Sequence, residues 1–589
     1  MPKFVLIDHS LKDLGGHHYP YAYSVLSAAE RCGWEPVLAV NRRFAQRAAL
    51  PAAWRVHALY AHASYSRHTL DTQARQPGDA PASTGTPGAA EAARARLRNW
   101  WRERARRRLA RHFSRDCARL FEREALQAGD LVFVGTVSEL DLLGLGAFLG
   151  KSGIGADCDW HLQFHFGIYV GREPDYAAQS HGATLMRTAM AQALRQSGPQ
   201  RLHFYCTTEQ LTSQYRRLGV APFETLPYPV HELFRPREPG AGDAPDAPLR
   251  IACLGHSRRE KGYGQLPHVL RELWRDWFAP RRAQLVLQTH RGAQRRALEA
   301  LVAALDAAAA ASSPRATPVP ARPPAPASAR APAPAPVLDF AAFPLPLAAY
   351  ARLLCGADVG LLLYDSTRYY ARCSGVLLEM LCAGVPVLVP AGGWLAAQIE
   401  ETNQQYLDGI AAQARASGLD AGALPADGTV PTAPGAASLL LSCAWRREAA
   451  AGEYLRIECA TQPAVGPAPP PAIVIVGPRA ADAPVRCLFR LPPGTQRARI
   501  TTRNAWQDGA PPAGALSAAL LQHAPPLGAL GLTIAAGSEV PRLLDELLRH
   551  IAHYRQSVRA HAAPCAQAHS GLQVLAGLGA RIAGGTGTT

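Results

Sequence analysis

Short runs of apolar residues alternate along most of the chain with segments of helical period, and glycine loops or polar turns separate them. The runs are continuously apolar, as in strands that are buried on both faces of a parallel sheet. The pattern therefore predicts an α/β fold built from βαβ units, and a length of 589 residues predicts more than one domain. The predicted strands span residues 4–7, 36–40, 131–134, 162–166, 250–254, 284–288, 338–340, 359–363 and 531–534.

Residues 373–390, CSGVLLEMLCAGVPVLVP, predict a capped helix that leads into a buried strand. Ser374 is a typical N-cap residue, and Gly384 stands where a C-cap glycine belongs. Glu379 is unusual because the helix is otherwise apolar and a buried carboxylate without a partner is costly. Helical side chains lean toward the N-terminus, so Glu379 is expected over Gly375, beside the N–H groups of the first turn. A nucleotide with its phosphate at the helix start and its ribose on Glu379 fits this arrangement, and an ion pair with an arginine is the alternative.

A glycine loop follows the first predicted strand, at residues 4–7. Gly15 and Gly16 would lie at the carboxyl end of this strand, which is the edge where open α/β sheets bind ligands. The loop lacks the GxGxxG fingerprint, so a dinucleotide site is poorly supported. We predict that His17 or His18 faces the ligand edge of the sheet and binds a ligand there, the acceptor in a group-transfer reaction. The alternative is that both histidines only line the loop.

His165 ends another predicted strand at the same edge. A role as a base or in acceptor binding is as well supported as a structural role. Asp157 and Asp159 match the DxD pattern of metal-dependent sugar-nucleotide transferases, but they precede a strand instead of ending one. We interpret this match as a coincidence and predict no metal site.

A second loop, GHSRREKGYG, follows the predicted strand 250–254. A glycine at a strand end, basic residues and then a helix are the components of a phosphate site. Gly255 would let the backbone approach a phosphate, while Lys261 and either Arg258 or Arg259 would neutralise its charge.

Four segments interrupt the alternation of strands and helices. Residues 73–90 are rich in Pro, Gly and Ala and are predicted to be a disordered insertion, and the Ala/Pro tract 307–336 is predicted to be a flexible loop. Residues 232–248 read as a linker between domains. Residues 403–527 contain strand-like runs between Pro and Gly turns, which predicts an inserted β-rich module.

Residues 94–111, RARLRNWWRERARRRLAR, combine nine arginines with Trp100 and Trp101. This composition is typical of a helix on an anionic membrane surface. The alternative is a solvated helix whose tryptophans pack on their own domain.

The composition favours an anionic partner, because 62 Lys and Arg against 46 Asp and Glu give a net charge of +16. The twelve cysteines show no CxxC pair and are interpreted as reduced, packed residues of a cytosolic protein. The first residues do not read as a signal peptide, and no apolar run is long enough to span a membrane. We therefore expect a cytoplasmic protein that could associate with the inner face of the cytoplasmic membrane.

Three segments in order, LGHSRREKGYGQL, LLCGADVGLLLYD and SGVLLEMLCAGVPVLVP, resemble the carboxyl-terminal domain of retaining glycosyltransferases of the GT-B fold, the large family four group. The resemblance extends to the first glycine loop and leaves out residues 403–527. It implies two Rossmann-like domains facing across a cleft, with the β-rich insertion in the second. The acceptor domain would span residues 1–235, and the donor-nucleotide domain residues 249–402 and 528–575.

The resemblance also implies roles for individual residues. Lys261 with Arg258 or Arg259 would stabilise the departing diphosphate, and Glu379 would hold the ribose. Two positions depart from the family: His256 stands where arginine is usual, and Ala371 stands where a first sugar-binding glutamate belongs. Nothing obvious replaces that glutamate, although Tyr370, Arg372 and Cys373 lie beside the gap. The residues implied or predicted to contact the donor are Gly15, Gly16, Gly255, His256, Gly262, Ser374, Gly375 and Glu379.

The implied activity is transfer of a sugar from a UDP, GDP or ADP sugar to a glycan or lipid-linked acceptor, with retention and without an obligatory cofactor. A role in cell-surface polysaccharide or glycolipid synthesis is expected. One alternative is a GT-B sugar-nucleotide epimerase or a degenerate nucleotide-binding protein. A second is a basic protein that binds nucleic acid or a membrane surface through residues 94–111, although no nucleic acid is expected as a partner of the transferase.

Overall fold

The computed structural model describes residues 1–63, 89–152, 158–198, 201–238, 247–255, 257–289, 292–312, 335–419, 421–448 and 452–579. Four features predicted from the sequence lie wholly or largely outside these ranges. They are the insertion at 73–90 up to residue 88, residues 313–334 of the Ala/Pro tract, Asp157 and His256.

The first domain is a seven-stranded parallel sheet covered by helices on both faces. Phe4 and Leu6 pack on one face, and Val5 and Ile7 pack on the other. The strands are β1 Lys3–Asp8, β2 Glu35–Asn41, β3 Arg55–Tyr60, β4 Leu131–Val134, β5 Asp159–Phe164, β6 Leu202–Cys206 and β7 Glu224–Thr225. The helices are α1 His18–Arg31, α2 Ala89–Glu124, α3 Glu139–Ser152, α4 Ser180–Ser197 and α5 Glu209–Arg216. The strand order is β3-β2-β1-β4-β5-β6-β7.

The second domain begins with a further series of strands and helices. Its strands are β8 Leu249–Cys253, β9 Ala283–Gln288, β10 Leu338–Ala341, β11 Val359–Leu361 and β12 Val387–Pro390. Its helices are α6 Leu266–Glu272, α7 Gly292–Ser312, α8 Leu347–Cys355, α9 Gly375–Cys382 and α10 Trp394–Ala416. Short turns of 3-10 helix at Arg259–Lys261 and Tyr263–Gln265 and a π-helical turn at Trp274–Phe278 complete this part.

Two helices of this domain run further than the sequence suggested. Helix α7 continues to Ser312, so the first residues of the tract predicted as a loop from 307 are helical, because alanine is the best helix former. Helix α10 runs through residue 403, where the insertion was predicted to begin, because its buried residues Ile399, Leu407 and Ile410 recur on one face. The inserted strands start only after this helix.

The insertion is a sandwich of two antiparallel four-stranded sheets, as its β-rich pattern predicted. Leu439, Leu441 and Trp445 from one sheet share a core with Ile457 and Ile500 from the other. The strands are β13 Gly422–Ala423, β14 Thr429–Pro431, β15 Ser438–Ala444, β16 Leu455–Pro463, β17 Ala472–Val476, β18 Pro484–Arg490, β19 Thr495–Asn504 and β20 Ser517–Leu521. The two sheets have the orders β13-β20-β15-β18 and β14-β19-β16-β17.

The chain then returns to the second domain with β21 Gly531–Ile534, which completes a six-stranded parallel sheet. Its order is β10-β9-β8-β11-β12-β21. Three helices follow, α11 Val540–Arg549, α12 Ile551–Ala568 and α13 Gly571–Gly577. Gly571 lies so close to α1 that a Cβ there would be 2.0 Å from the Ser24 carbonyl oxygen, so α13 packs on the first domain.

These elements confirm the predicted fold class: two Rossmann-like domains with a β-rich insertion in the second. All nine strands predicted from apolar runs are present. Among the described helices, none combines the length and the apolar character that a membrane span requires.

The sandwich also contacts the first domain. The Arg172 guanidinium of the first domain lies 3.6 Å from the ring centroid of Trp506 in the insertion. The N–H of Gly171 donates to the carbonyl of Thr367 in the second domain over 3.0 Å. The insertion therefore stands at a junction of both Rossmann-like domains.

We expect the Arg172 and Trp506 side chains to stabilise this junction jointly. In a double-mutant cycle with Arg172→Ala and Trp506→Ala, the free energies of unfolding should couple by about 1–2 kcal/mol, as for a cation–π pair shielded from water. Arg282→Ala is the matched control, because Arg282 stacks on Trp277 instead. Additive effects of Arg172→Ala and Trp506→Ala would contradict the proposed junction.

Candidate active site

A cavity of about 550 Å³ lies between the two Rossmann-like domains. Its wall is built from loops that follow strands of both parallel sheets and from residues of α1, α8 and α9. The loops come together here because the carboxyl ends of parallel strands meet at one edge of a sheet. The lining residues are Gly16, His17, Pro20, His165, Phe166, Tyr228, Gly255, Arg258, Lys261, Gln288, Phe343, Pro344, Leu345, Leu347, Tyr350, Tyr364, Tyr369, Arg372, Cys373, Ser374, Gly375, Val376 and Glu379.

The loop after β8 carries Lys261 into this cavity. Gly255 has a φ of +91°, and a Cβ there would lie 2.6 Å from Lys261 Nζ. The N–H of Gly255 donates to Oε1 of Gln288 over 2.8 Å, which fixes the loop against β9. Gly262 has a φ of +73°, and a Cβ there would lie 1.8 Å from the Leu363 carbonyl oxygen. Both positions therefore require glycine, and both place the lysine.

Lys261 is a buried cation that is 7% exposed. Its Nζ lies 4.9 Å from the ring centroid of Tyr364, and among the described residues no carboxylate pairs with it. Burial lowers the pKa of Lys261, as expected for a charge removed from water. A buried ammonium held in this way is suited to an anionic ligand.

The two neighbouring arginines differ in their placement. Arg258 lines the cavity, and its Nη1 lies 3.4 Å from Oε1 of Glu260. Both arginines are exposed, but Arg259 is absent from the cavity wall. Of the two arginines that the sequence left open, the structure therefore brings Arg258 to Lys261.

The amino terminus of α9 forms the opposite wall. Ser374 caps this helix, as its hydroxyl accepts a hydrogen bond from the N–H of Leu377 over 3.3 Å. Gly375 and Val376 line the cavity in the first turn, where N–H groups have no acceptor within the helix. A Cβ at Gly375 would lie 3.1 Å from the Tyr228 hydroxyl of the first domain. Lys261 and the positive end of the helix thus face one cavity.

Glu379 lies in the same wall and is 5% exposed. The Tyr350 hydroxyl on α8 donates to its Oε2 over 3.0 Å. Among the described residues no arginine pairs with this carboxyl group, so the alternative of an ion pair with an arginine is not what satisfies it. Burial raises the pKa of Glu379 to about 7, although Tyr350 and Lys261 oppose the shift. The cavity wall contains both Gly375 and Glu379, the pair that the helix geometry predicted would lie together.

The first domain contributes imidazoles to the cavity. His17 lines it, whereas His18 lies outside the wall, with Nδ1 3.0 Å from Oδ2 of Asp8. His165 donates from Nε2 to the carbonyl oxygen of Gly135 over 2.6 Å, so its Nδ1 carries a lone pair. Burial lowers the pKa of His165 to about 4, so this ring is neutral at pH 7. The His17 ring is exposed.

The remaining sequence-predicted residues occupy other places. Gly15 packs against the second domain, where a Cβ would lie 3.4 Å from Cβ of Pro344, and Gly16 forms the cavity wall instead. Asp159 begins β5 at the amino edge of the sheet, and its Oδ1 pairs with Nε of Arg201 over 2.9 Å. Asp159 therefore lies away from the cavity.

Ala371 is built into the contact between the domains. Its carbonyl oxygen accepts a hydrogen bond from the Thr208 hydroxyl over 2.7 Å, and its side chain packs in a core of the first domain. A glutamate here would be buried among apolar side chains. The next two residues, Arg372 and Cys373, line the cavity in its place.

Several cavity residues were not found from the sequence, among them Tyr350, Gln288, Tyr364 and Tyr228. Tyr350 lies on the amphipathic helix α8, and no sequence signal in that helix indicates a contact with Glu379 on α9. Arg372 was noted only as a neighbour of Ala371. A scan for polar side chains at strand ends would have found Gln288, which closes β9.

A scan against models of protein families gives no match, and a search of curated proteins also gives none. Among solved structures, the chain is similar to sucrose-phosphate synthase from Thermosynechococcus elongatus, with 14% identity, a TM-score of 0.41, and coverage of 71% of this chain and 90% of that one. For HepE from Anabaena in complex with UDP, the identity is 11%, the TM-score 0.36, and the coverage 71% and 90%. For WaaG, a glycosyltransferase involved in lipopolysaccharide biosynthesis, the identity is 14%, the TM-score 0.37, and the coverage 68% and 84%. These values are too low to assign a substrate or the role of any residue.

The raised pKa of Glu379 predicts a pH dependence of stability. The folded pKa of about 7 exceeds the ordinary value of 4.5, so the stability is fully present below pH 4.5 and is lost as the pH rises to about 7. Relative to Glu379→Gln, the free energy of unfolding of the ligand-free wild type should fall by about 3 kcal/mol over this window and then level off. Urea unfolding from pH 4.5 to 8.5 measures it.

Tyr350→Phe is the control, since it removes the hydrogen bond that opposes the shift. The loss of stability should then continue to higher pH. If the free energies of unfolding of the wild type and of Glu379→Gln change with pH in parallel, the Glu379 carboxyl group is not buried as described.

Proposed function

We propose that the chain is a glycosyltransferase that moves a sugar from a nucleotide-sugar donor to an acceptor bound by the first domain. The observation that carries this proposal is the buried Lys261 opposite the first turn of α9, with Glu379 in the same wall. A nucleoside diphosphate matches this set, because it offers phosphates to the cation and the N–H groups and ribose hydroxyls to the carboxyl group.

In the proposed reaction, negative charge develops on the diphosphate as its bond to the sugar breaks. Lys261, Arg258 and the amino terminus of α9 line the same cavity and would together stabilise this charge. Glu379 would accept a hydrogen bond from a ribose hydroxyl and so orient the nucleotide. Retention of configuration and independence of an obligatory cofactor rest on the sequence resemblance alone.

The acceptor would lie against the first domain, near His17 and His165. The His165 ring is neutral at pH 7, so it can exchange hydrogen bonds with sugar hydroxyls without adding charge. The low pKa of His165 makes it a weak base and supports a positioning role over proton abstraction.

A thermal-shift screen with UDP, GDP, ADP and their sugars tests the proposal directly. A transferase should be stabilised by one nucleotide series and should yield a free nucleotide and a glycoside when an acceptor is present. Interconversion of the donor sugar without transfer would instead favour an epimerase, and binding without any product would favour a nucleotide-binding protein.

Replacing Lys261 should separate folding from function. Lys261→Met removes a buried charge and should stabilise the ligand-free protein by about 1–2 kcal/mol. Affinity for the nucleotide diphosphate found in the screen should fall roughly tenfold to a hundredfold, as for a lost charged hydrogen bond, and transfer should be abolished. Thermal unfolding, calorimetry and product analysis measure the three effects.

Arg258→Gln and Arg259→Gln form a matched pair for this experiment. The first should weaken nucleotide binding and the second should not, since only Arg258 lines the cavity. Unchanged turnover in Lys261→Met would rule out the assignment of this cavity as the transferase site.

We also propose that the amino-terminal half of α2 docks on an anionic membrane. The other half packs in the core through Phe113 and Phe121, whereas Leu97, Trp100 and Trp101 are 57%, 51% and 58% exposed. Both indoles therefore remain about half exposed in the part of the chain that the structure describes. Exposed indoles among arginines suit the interface of an anionic bilayer, where a lipid-linked acceptor would reside.

Sedimentation with lipid vesicles tests this surface. The wild type should bind phosphatidylcholine vesicles that contain phosphatidylglycerol and should not bind phosphatidylcholine alone, and the double variant Trp100→Ser, Trp101→Ser should lose most of this binding. Leu572→Ser, which replaces an exposed apolar residue on α13, is the control. Equal binding of the double variant, or a preference for DNA or RNA over the vesicles, would contradict the membrane assignment.

A further inference from the structure

Two buried thiols of the second domain contact each other outside the wall of the candidate site. Cys382 is the last residue of α9, and Cys565 lies on α12. The thiol of Cys382 donates to the sulfur of Cys565, and the two Sγ atoms lie 3.5 Å apart. A disulfide bond is about 2.05 Å long, so the sulfurs would have to approach each other by roughly 1.5 Å. The pair is therefore one small movement away from bond distance.

The turn of α12 that carries Cys565 is weakened by a proline. Pro564 lies inside this helix, where it has no N–H to donate to the carbonyl group one turn earlier and its ring crowds that group. The residues around Cys565, at positions 563, 564 and 566–568, are exposed. Cys565 itself is 6% exposed, whereas Cys382 is 1% exposed. A small oxidant would therefore reach Cys565 first, through a turn that opens more easily than a regular helix.

Cys565 is also the more reactive thiol of the two. The hydrogen bond from Cys382 lowers the pKa of Cys565, burial opposes this shift, and His561 one turn earlier on α12 supports it. The same contact raises the pKa of Cys382. Because the thiolate is the nucleophilic form of cysteine, Cys565 should react first and Cys382 second.

We propose that Cys382 and Cys565 form a reversible oxidation site that a hydroperoxide converts into a disulfide. The Cys565 thiolate attacks the hydroxyl oxygen of the peroxide, the O–O bond breaks, and the leaving oxygen takes a proton from water, which leaves a sulfenic acid on Cys565. The Cys382 sulfur then attacks the sulfenic sulfur, the S–O bond breaks, and the departing hydroxide leaves with the Cys382 proton as water. The two sulfurs together lose two electrons, which the peroxide gains.

The cross-link would join α9 to α12 across a long loop. The two cysteines are 183 positions apart, and the chain between them includes the whole β-sandwich. A disulfide that closes a loop of this length restricts the unfolded chain strongly, so the oxidised protein should be more stable than the reduced one. The inference does not depend on the proposed function, because neither thiol lines the cavity.

Peptide mapping of the full-length protein tests the site. The protein is treated with hydrogen peroxide, the excess is removed with catalase, and the remaining thiols are blocked with N-ethylmaleimide in denaturant before digestion without reductant. A cross-link between Cys382 and Cys565 should appear, and dithiothreitol should remove it. Fragment spectra must separate Cys382 from Cys373, because both lie on one tryptic peptide. The melting temperature of the cross-linked protein should be higher by about 5 °C.

Serine variants test the order of the two steps. Cys382→Ser should leave a sulfenic acid on Cys565 that dimedone labels, and Cys565→Ser should form neither a cross-link nor a labelled Cys382. Cys443→Ser is the matched control and should form the cross-link as the wild type does. Cys443 and Cys487 are also buried, but they are diagonal neighbours on β15 and β18, at a Cα separation of about 7–8 Å that a disulfide does not span.

The map of the wild type decides the question even if a variant fails to fold. Free Cys382 and Cys565 thiols after peroxide treatment would overturn the proposal, as would a cross-link between other cysteines. Lasting dimedone labelling of Cys565 in the wild type would show that Cys382 does not react with the sulfenic acid. A cross-linked protein that melts below the reduced one would show that the two helices do not accommodate the bond.

Discussion

The burial of the Lys261 ammonium is the constraint on which the cleft depends. A cation removed from water is costly unless an anion compensates it, and among the described residues Lys261 faces the Tyr364 ring and interacts with the Glu379 carboxyl group without forming an ion pair. Two glycines with positive φ, at positions 255 and 262, and the Gln288 amide oxygen hold the loop in a form that keeps the charge in place. A bound diphosphate would compensate the free-energy cost of removing this ammonium group from water.

The same cleft requires the two domains to keep their spacing. Thr208 of the first domain donates to the Ala371 carbonyl of the second, Tyr228 lies against Gly375, and the final helix packs on α1. The β-sandwich adds a further connection through Arg172 and Trp506. A glutamate at position 371 would have to be buried in this contact, so the close junction of the domains suits a small apolar residue there.

Much of the fold could be predicted from the sequence, because strands buried on both faces leave continuous apolar runs. In addition, Ser374 and Gly384 mark the two ends of helix α9. The placement of Glu379 over Gly375 followed from helix geometry alone. The sequence could not choose between Arg258 and Arg259, since adjacent residues in a loop differ in direction only once the loop is folded. Tyr350 and Arg372 were missed as site residues because their neighbours in the cavity come from other elements. The start of the insertion was predicted too early, at residue 403, because the amphipathic helix α10 continues to Ala416 before the β-rich composition begins.

A structure of the protein with a bound nucleoside diphosphate tests the central claim most directly. The account predicts the phosphates between Lys261 Nζ and the N–H groups of Gly375 and Val376, with a ribose hydroxyl on Glu379. A nucleotide bound outside this cavity, or one whose phosphates contact neither Lys261 nor the amino terminus of α9, would contradict it.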